Sequence, residues 1–107
     1  MSTASKSEIL KFTEMISYQD AAVVSRQITK TEAGNTTLFA FDTDQGLSEH
    51  TAPFDALVQI LEGQAQVSIS GKFFYLQAGD AIIMPAGEPH ALKATQKFKM
   101  LLTMIRP

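Results

Sequence analysis

From residue 22 onward, the hydrophobic positions come in short runs that are rich in β-branched and aromatic residues. Residues typical of turns separate the runs, among them Glu62-Gly63 and Ser70-Gly71. On either side of Ser70-Gly71 the apolar residues alternate with polar ones, which predicts a β-hairpin. Because short strands with closely spaced turns are typical of sandwiches and barrels, the pattern predicts an all-β fold. Seven runs are predicted as strands: Val23–Thr29, Thr36–Phe41, Leu57–Leu61, Ala65–Ser70, Phe73–Leu76, Ala81–Met84 and Lys97–Ile105.

The first 20 residues have a different pattern. Ile9, Phe12, Met15 and Ile16 recur at spacings of three, three and one, which fits a short amphipathic helix or an irregular strap. No linker or low-complexity tract divides the rest of the chain. We therefore predict an N-terminal strap over residues 1–20 and a single β-barrel domain over residues 21–107.

Two predicted strands, Leu57–Leu61 and Lys97–Ile105, are apolar on both faces, the second of them from Phe98 onward. A half-exposed strand would alternate instead, so both faces should be covered. In a small barrel one face meets the interior, and the other needs a partner surface or the strap. We expect a homodimer that forms through sheet faces.

The composition narrows the chemistry that the chain can perform. Of its 107 residues, 45% are apolar and 19% are charged, as expected for one folded domain. The absence of cysteine excludes disulfides, Cys-ligated metal sites and thiol nucleophiles. His50 and His90 are the only histidines, and thus the only side chains with an ordinary pKa near neutrality.

The charge pattern gives no sign of a nucleic-acid or membrane partner. Nine basic and eleven acidic residues leave a net charge of −2. The basic residues are scattered apart from Lys93, Lys97 and Lys99, which we expect on a solvated face. Neither a signal peptide nor an apolar run of about 20 residues is present, so a soluble cytoplasmic protein is expected.

The most specific local pattern runs from Gly79 to His90. Pro85 should end a strand, Gly87 permits a bend and His90 starts the next strand. The order Gly, five residues, Pro, one residue, Gly, two residues, His resembles the second motif of the cupin superfamily at each of these positions. The Asn that closes that motif is replaced here by Ala94.

The stretch from Gly46 to Gly63 resembles the first cupin motif in part. His50 stands at one ligand position, whereas the second histidine position holds Ala52 and the glutamate position holds Ala56. Only three residues separate Gly46 from His50, fewer than the five of the motif. Two of the four usual metal-ligating side chains are therefore missing.

The resemblance implies a cupin-type double-stranded β-helix, or jelly-roll barrel, often dimeric, with a small-molecule site that frequently holds Zn, Fe, Mn, Ni or Cu. It also implies that His50 and His90 lie on adjacent strands and face one cavity, where they could bind a divalent metal. Asp55 is the carboxylate nearest to the lost glutamate position and is the third candidate ligand. It lies one residue early, which in a regular strand would aim it at the opposite face, although Pro53 leaves the local register open.

A pocket for a small organic ligand is expected beside the histidines. Alanines at three motif positions should make this pocket wider and more apolar, which suits a bulky ligand. The alternation of residues along each strand adds further wall positions, and the five methionines are expected to fill the core. The predicted lining is Ala52, Phe54, Ala56, Val58, Ile60, Met84, Leu92 and Ala94.

The sequence therefore predicts a small cupin that binds a divalent metal and a small organic ligand, with no reaction or catalytic residue assigned. Two metal-free alternatives stay open. One is a ligand-binding or sensory cupin. The other is a sugar isomerase or epimerase, in which a histidine oriented by Asp55 or Glu49 acts as the base.

Overall fold

The computed structural model describes residues 3–106, so residues 1–2 of the predicted strap and residue 107 of the predicted barrel lie outside the described residues. The predicted all-β fold is confirmed. Among residues 3–106, no helix has the length and apolar character needed to cross a membrane. The strands are β1 Val23–Thr31, β2 Gly34–Phe41, β3 Gly46–His50, β4 Ala56–Ile69, β5 Lys72–Gln77, β6 Ala81–Met84, β7 His90–Lys93 and β8 Phe98–Ile105.

All strand pairings are antiparallel, and they form one curled sheet in the order β1-β2-β8-β4-β7-β3. Strand β4, with 14 residues, is the centre of this arrangement. Its first half pairs with β6 and β8, and its second half pairs with β5 and β7. The sheet therefore encloses an apolar interior, whose largest fully buried side chains include Phe41, Phe98 and Met100.

Strand β4 corrects one sequence prediction. The turn predicted at Glu62-Gly63 is instead an irregularity within a continuous strand, where the register against β8 shifts between Ile60 and Glu62. Gly63 has a φ of +80°, and a Cβ at this position would lie 2.0 Å from the Lys97 carbonyl oxygen. The extra residue at the register shift is Leu61, two positions before Gly63, and a bulge of this kind bends the strand instead of ending it.

The strap is irregular except for a 3-10 turn at Phe12–Glu14. It lies against the outer face of the sheet, where Ile16 packs in one cluster with Leu38 and Leu101. Leu101 is on the outer side of β8, so the strap covers part of the second apolar face of that strand. The homodimer stays a prediction.

Lys99 corrects a second prediction, because it is buried rather than part of a solvated face, with 8% of its surface exposed. Its Nζ donates a hydrogen bond to the Thr13 carbonyl oxygen at 2.7 Å and lies 3.8 Å from Oε1 of Glu62. The Tyr18 hydroxyl donates to Oε2 of Glu62 at 2.7 Å. These contacts fasten the strap to β4 and β8.

Candidate functional site

Strands β3 and β7 bring the two histidines together. His50 ends β3, His90 begins β7, and the two are direct partners in the antiparallel pairing. Because directly opposite residues project from the same face of a sheet, their side chains meet. Their Nε2 atoms are 3.2 Å apart, and the rings are nearly perpendicular at an interplanar angle of 72°.

The loop before β7 is held by backbone hydrogen bonds on both sides. Gly87, with a φ of +78°, donates its N–H to the Ala52 carbonyl oxygen at 2.8 Å, which ties the loop to the segment after β3. On the other side, the Ser70 N–H donates to the Pro89 carbonyl oxygen at 2.8 Å. The Ser70 hydroxyl also donates to Glu88, at 2.9 Å. This loop therefore presents His90 at a defined position.

The hydrogen bonds of the two rings decide which nitrogens carry hydrogen. Nδ1 of His50 is 2.8 Å from the Ser48 carbonyl oxygen, and Nδ1 of His90 is 3.2 Å from the Glu88 carbonyl oxygen. A carbonyl oxygen can only accept, so each Nδ1 must be the donor. In two neutral rings, both Nε2 atoms then carry lone pairs that face each other. Two lone pairs that face each other repel, so a positive centre between them stabilises the arrangement. That centre is either a proton on one Nε2 or a metal ion bound by both.

Burial acts against a proton on His90, which is only 3% exposed. Desolvation is the main cause that lowers its pKa below the ordinary value, and the neighbouring His50 lowers it further. The hydrogen bond to the Glu88 carbonyl acts in the opposite direction but does not reverse the shift. At neutral pH, His90 is therefore a neutral imidazole, the form that binds metals.

The histidines open into an interior cavity of about 50 Å³. Pockets for drug-sized ligands usually measure about 300 Å³ or more, so this cavity has room for water molecules or a very small group. Apart from the two imidazoles, the side chains of residues 3–106 that form its walls are all apolar. The lining consists of Leu47, His50, Ala52, Ala56, Met84, His90, Leu92, Met100, Leu102 and Met104.

The predicted lining is only partly placed at this cavity. Ala52, Ala56, Met84 and Leu92 line it, whereas Val58, Ile60 and Ala94 are buried elsewhere in the interior, and Phe54 lines a groove outside the barrel. Sequence reasoning missed Leu47 of β3 and three residues of β8. The three β8 residues were predictable as cavity lining, because Met100, Leu102 and Met104 alternate along one face of a strand predicted to meet the interior.

The cavity is narrower than the pocket we predicted from the alanines at the cupin motif positions. Ala56 is paired with Met84 of β6 on one side and with Met104 of β8 on the other. Long, flexible methionine side chains thus adjoin the position where the small alanine leaves space. The packing explains why alanines at ligand positions do not create a pocket for a bulky ligand here.

The structure does not bring Asp55 to the histidines. Its Oδ1 accepts a hydrogen bond from the Ala86 N–H at 2.9 Å, and the residue lines an outer groove together with Phe54 and Ile83. Asp55 lies just before β4, on the opposite parity to Ala56, so it points away from the interior. Within residues 3–106, no three or more His, Cys, Asp or Glu side chains are grouped closely enough to hold a metal ion.

Fold and site together define a small antiparallel β-barrel with an internal imidazole pair. The family model described as "Cupin domain" matches residues 37–106, and the chain belongs to the cupin family. No curated protein shows significant sequence similarity to the chain.

Solved structures agree with this assignment. A conserved protein of unknown function from Streptococcus pyogenes is 33% identical, with 100% of this chain and 96% of that one covered and a TM-score of 0.91. A cupin superfamily protein from Desulfitobacterium hafniense has the same TM-score at 24% identity, with coverages of 99% and 97%. A cupin 2 conserved barrel domain protein from Leptotrichia buccalis is 34% identical over 88% of this chain and 46% of that one, with a TM-score of 0.85.

Proposed function

We propose that this cupin binds a transition-metal ion through the Nε2 atoms of His50 and His90. Water or a small organic ligand would complete the coordination. One observation carries the proposal, namely the two Nε2 lone pairs that face each other at 3.2 Å while each Nδ1 is held by a backbone carbonyl. Such a carbonyl partner orients a ligating imidazole and selects the tautomer that leaves Nε2 free.

The separation of the nitrogens supports a shared metal ion. Two imidazole nitrogens that bind one zinc ion at 2.0–2.1 Å in tetrahedral geometry lie about 3.3 Å apart. The 3.2 Å between the two Nε2 atoms is close to this value. The pair would therefore need little rearrangement to accept an ion.

The site has unequal access on its two sides. His90 is buried, whereas His50 is exposed. An exogenous ligand would therefore approach the ion from the side of His50, and the cavity of about 50 Å³ limits the part that can enter. A bound ion would act there as a Lewis acid toward that ligand. The metal-free sensory and epimerase alternatives stay predictions.

Metal analysis of protein that is purified without an affinity tag tests the proposal. The wild type should bind one Zn(II), Ni(II), Mn(II), Fe(II) or copper ion per chain. Because each imidazole supplies half of the nitrogen donors, His50→Ala or His90→Ala should weaken binding by at least about tenfold, the smallest loss that is typical when a residue that only orients a metal ligand is replaced. Asp55→Ala is the matched control and should leave the affinity unchanged, since this side chain lies outside the cavity.

One outcome would contradict the proposal. If the wild type takes up no more of any of these ions than the variant with both histidines replaced, the imidazole pair is not a metal site. A loss of affinity in Asp55→Ala comparable to that in His50→Ala would instead require a rearranged site with three ligands.

A further inference from the structure

Among residues 3–106, sulfur supplies the only other donor atoms in the side chains that line the histidine cavity. Besides the two imidazoles, the lining that the described part of the chain provides consists of leucine, alanine and methionine, without a carboxylate or hydroxyl side chain. The methionines are Met84, Met100 and Met104. A thioether is a soft, neutral donor, unlike the hard oxygen ligands that Mn(II) and Mg(II) prefer.

The strand register puts two of these thioethers beside one position. Met84 and Met104 are the direct partners of Ala56 in the pairings of β4 with β6 and with β8. The Cβ atoms of directly opposite residues are about 4.5–5.5 Å apart, and their side chains project from the same face. Ala56 is the position at which the cupin motif has its glutamate ligand. A methionine thus flanks the missing carboxylate on each side.

The inference rests on the proposed metal site and goes further by naming the ion. We propose that the site selects Cu(I), bound by Nε2 of His50 and of His90 and by a thioether of Met84 or Met104. Histidine together with methionine is a donor set that suits Cu(I), because soft thioethers and imidazole nitrogens both bind copper well.

Charge supports the same choice. The donors that the described residues place in the cavity are all neutral, so this lining provides no negative charge to offset that of the ion. The cost of moving an ion into a medium of low dielectric constant rises with the square of its charge, so it is about four times larger for a divalent than for a monovalent ion of equal size. Burial beside apolar walls therefore disfavours Zn(II), Mn(II) or Fe(II) more than Cu(I).

Competition with a chromogenic Cu(I) chelator, under anaerobic conditions with ascorbate, measures the affinity for Cu(I), and titration with Zn(II) provides the comparison. The wild type should bind Cu(I) at least about a hundredfold more tightly than Zn(II). X-ray absorption of the Cu(I)-loaded protein should show sulfur together with nitrogen in the first coordination shell.

Conservative variants separate the thioethers from packing effects. Leucine replaces methionine with little change in volume. Met84→Leu combined with Met104→Leu should reduce the affinity for Cu(I) at least tenfold, remove the sulfur signal and change the affinity for Zn(II) less than twofold. Met15→Leu is the matched control, because Met15 belongs to the strap cluster and should change neither affinity.

The results distinguish this inference from the proposed function. The Cu(I) inference is wrong, and the imidazole site stands, if Zn(II) binds through the histidines while Cu(I) is bound no more tightly. The same conclusion follows if the double methionine variant keeps full Cu(I) affinity and X-ray absorption of the Cu(I)-loaded protein shows only nitrogen and oxygen scatterers. If neither ion binds, both fail.

Discussion

The chemistry of the site is set by three features of His90: its burial, its contact with His50 and its bond to a backbone carbonyl. The first two lower its pKa, and the third fixes Nδ1 as the donor. The imidazole is thus kept neutral with its Nε2 lone pair directed at the other ring. A histidine in this state can bind a metal ion without first losing a proton.

The lowered pKa of His90 predicts how the stability of the metal-free protein depends on pH. In the unfolded chain a histidine titrates near its ordinary pKa of about 6.5. As pH falls below that value, the unfolded state takes up a proton that folded His90 does not, so the free energy of unfolding should decrease toward the lowered pKa. Urea unfolding of chelator-treated protein between pH 8 and pH 5 measures this.

His90→Gln should flatten that pH dependence, because the variant lacks the group whose pKa differs between the two states. His50→Gln removes only the smaller cause of the shift, so it should retain most of the dependence. Equal slopes in the wild type and in His90→Gln would show that His90 is not responsible.

At the scale of the secondary-structure elements, β4 is the strand on which the site depends. It carries Ala56 at one end, has a bulge at Leu61 followed by the left-handed Gly63, and pairs near its other end with β7, the strand of His90. The bend keeps both halves of one strand in contact with the same interior. The geometry of the cavity therefore depends on backbone conformation at a residue that does not line it.

Gly63→Ala should destabilise the protein by more than about 2 kcal/mol. A left-handed conformation costs a residue with a Cβ roughly 1–2 kcal/mol, and here the new Cβ would also collide with the Lys97 carbonyl oxygen at 2.0 Å. Gly71→Ala is a matched control, since Gly71 has a similar φ of +82° but open space around a Cβ. Denaturant unfolding of both variants measures the difference, and equal losses of stability would contradict the role assigned to the close approach.

At the scale of the whole molecule, the strap covers only part of the outer sheet surface. Beyond it, Leu57 of β4 lies between Ile83 of β6 and Thr103 of β8, and Ile105 follows on β8. Ile83 and Ile105 are 58% and 65% exposed, and they line an outer groove of about 540 Å³. Exposed apolar residues on adjacent strands are typical of an interface.

We expect a second copy of the chain to cover this outer groove, as the two-faced strands predict. In sedimentation velocity the wild type should be a dimer, and Ile83→Lys should shift it toward the monomer by placing a charge in the contact. Phe73→Lys is a suitable control, because Phe73 of β5 is similarly exposed, at 57%, but lies outside the groove. A wild type that is monomeric at high concentration would contradict the expectation.

The methionines of β8 illustrate which features of the cavity can be predicted from the sequence and which cannot. Alternation along β8 assigns Met100 and Met104 to one face, but it does not indicate that Met104 stands opposite Ala56. The hydrophobic pattern fixes the face on which a side chain lies, and a turn fixes the register within a hairpin, but β4 and β8 are not joined by a turn, so the partner of Ala56 on β8 has no local signal in the sequence. The same limit applies to Lys99, whose burial depends on the strap.

The sequence by itself determined the all-β fold, most of the strands and the two histidines at motif positions, because alternation, turn residues and motif spacing are local properties of the chain. Only the tertiary structure decided that the Nε2 atoms lie 3.2 Å apart, that Asp55 binds the Ala86 N–H outside the cavity, and that methionines flank Ala56. These facts depend on pairing between β3 and β7 and among β4, β6 and β8. Such pairing joins residues up to about 50 positions apart, and it becomes defined only when the whole sheet closes around its interior.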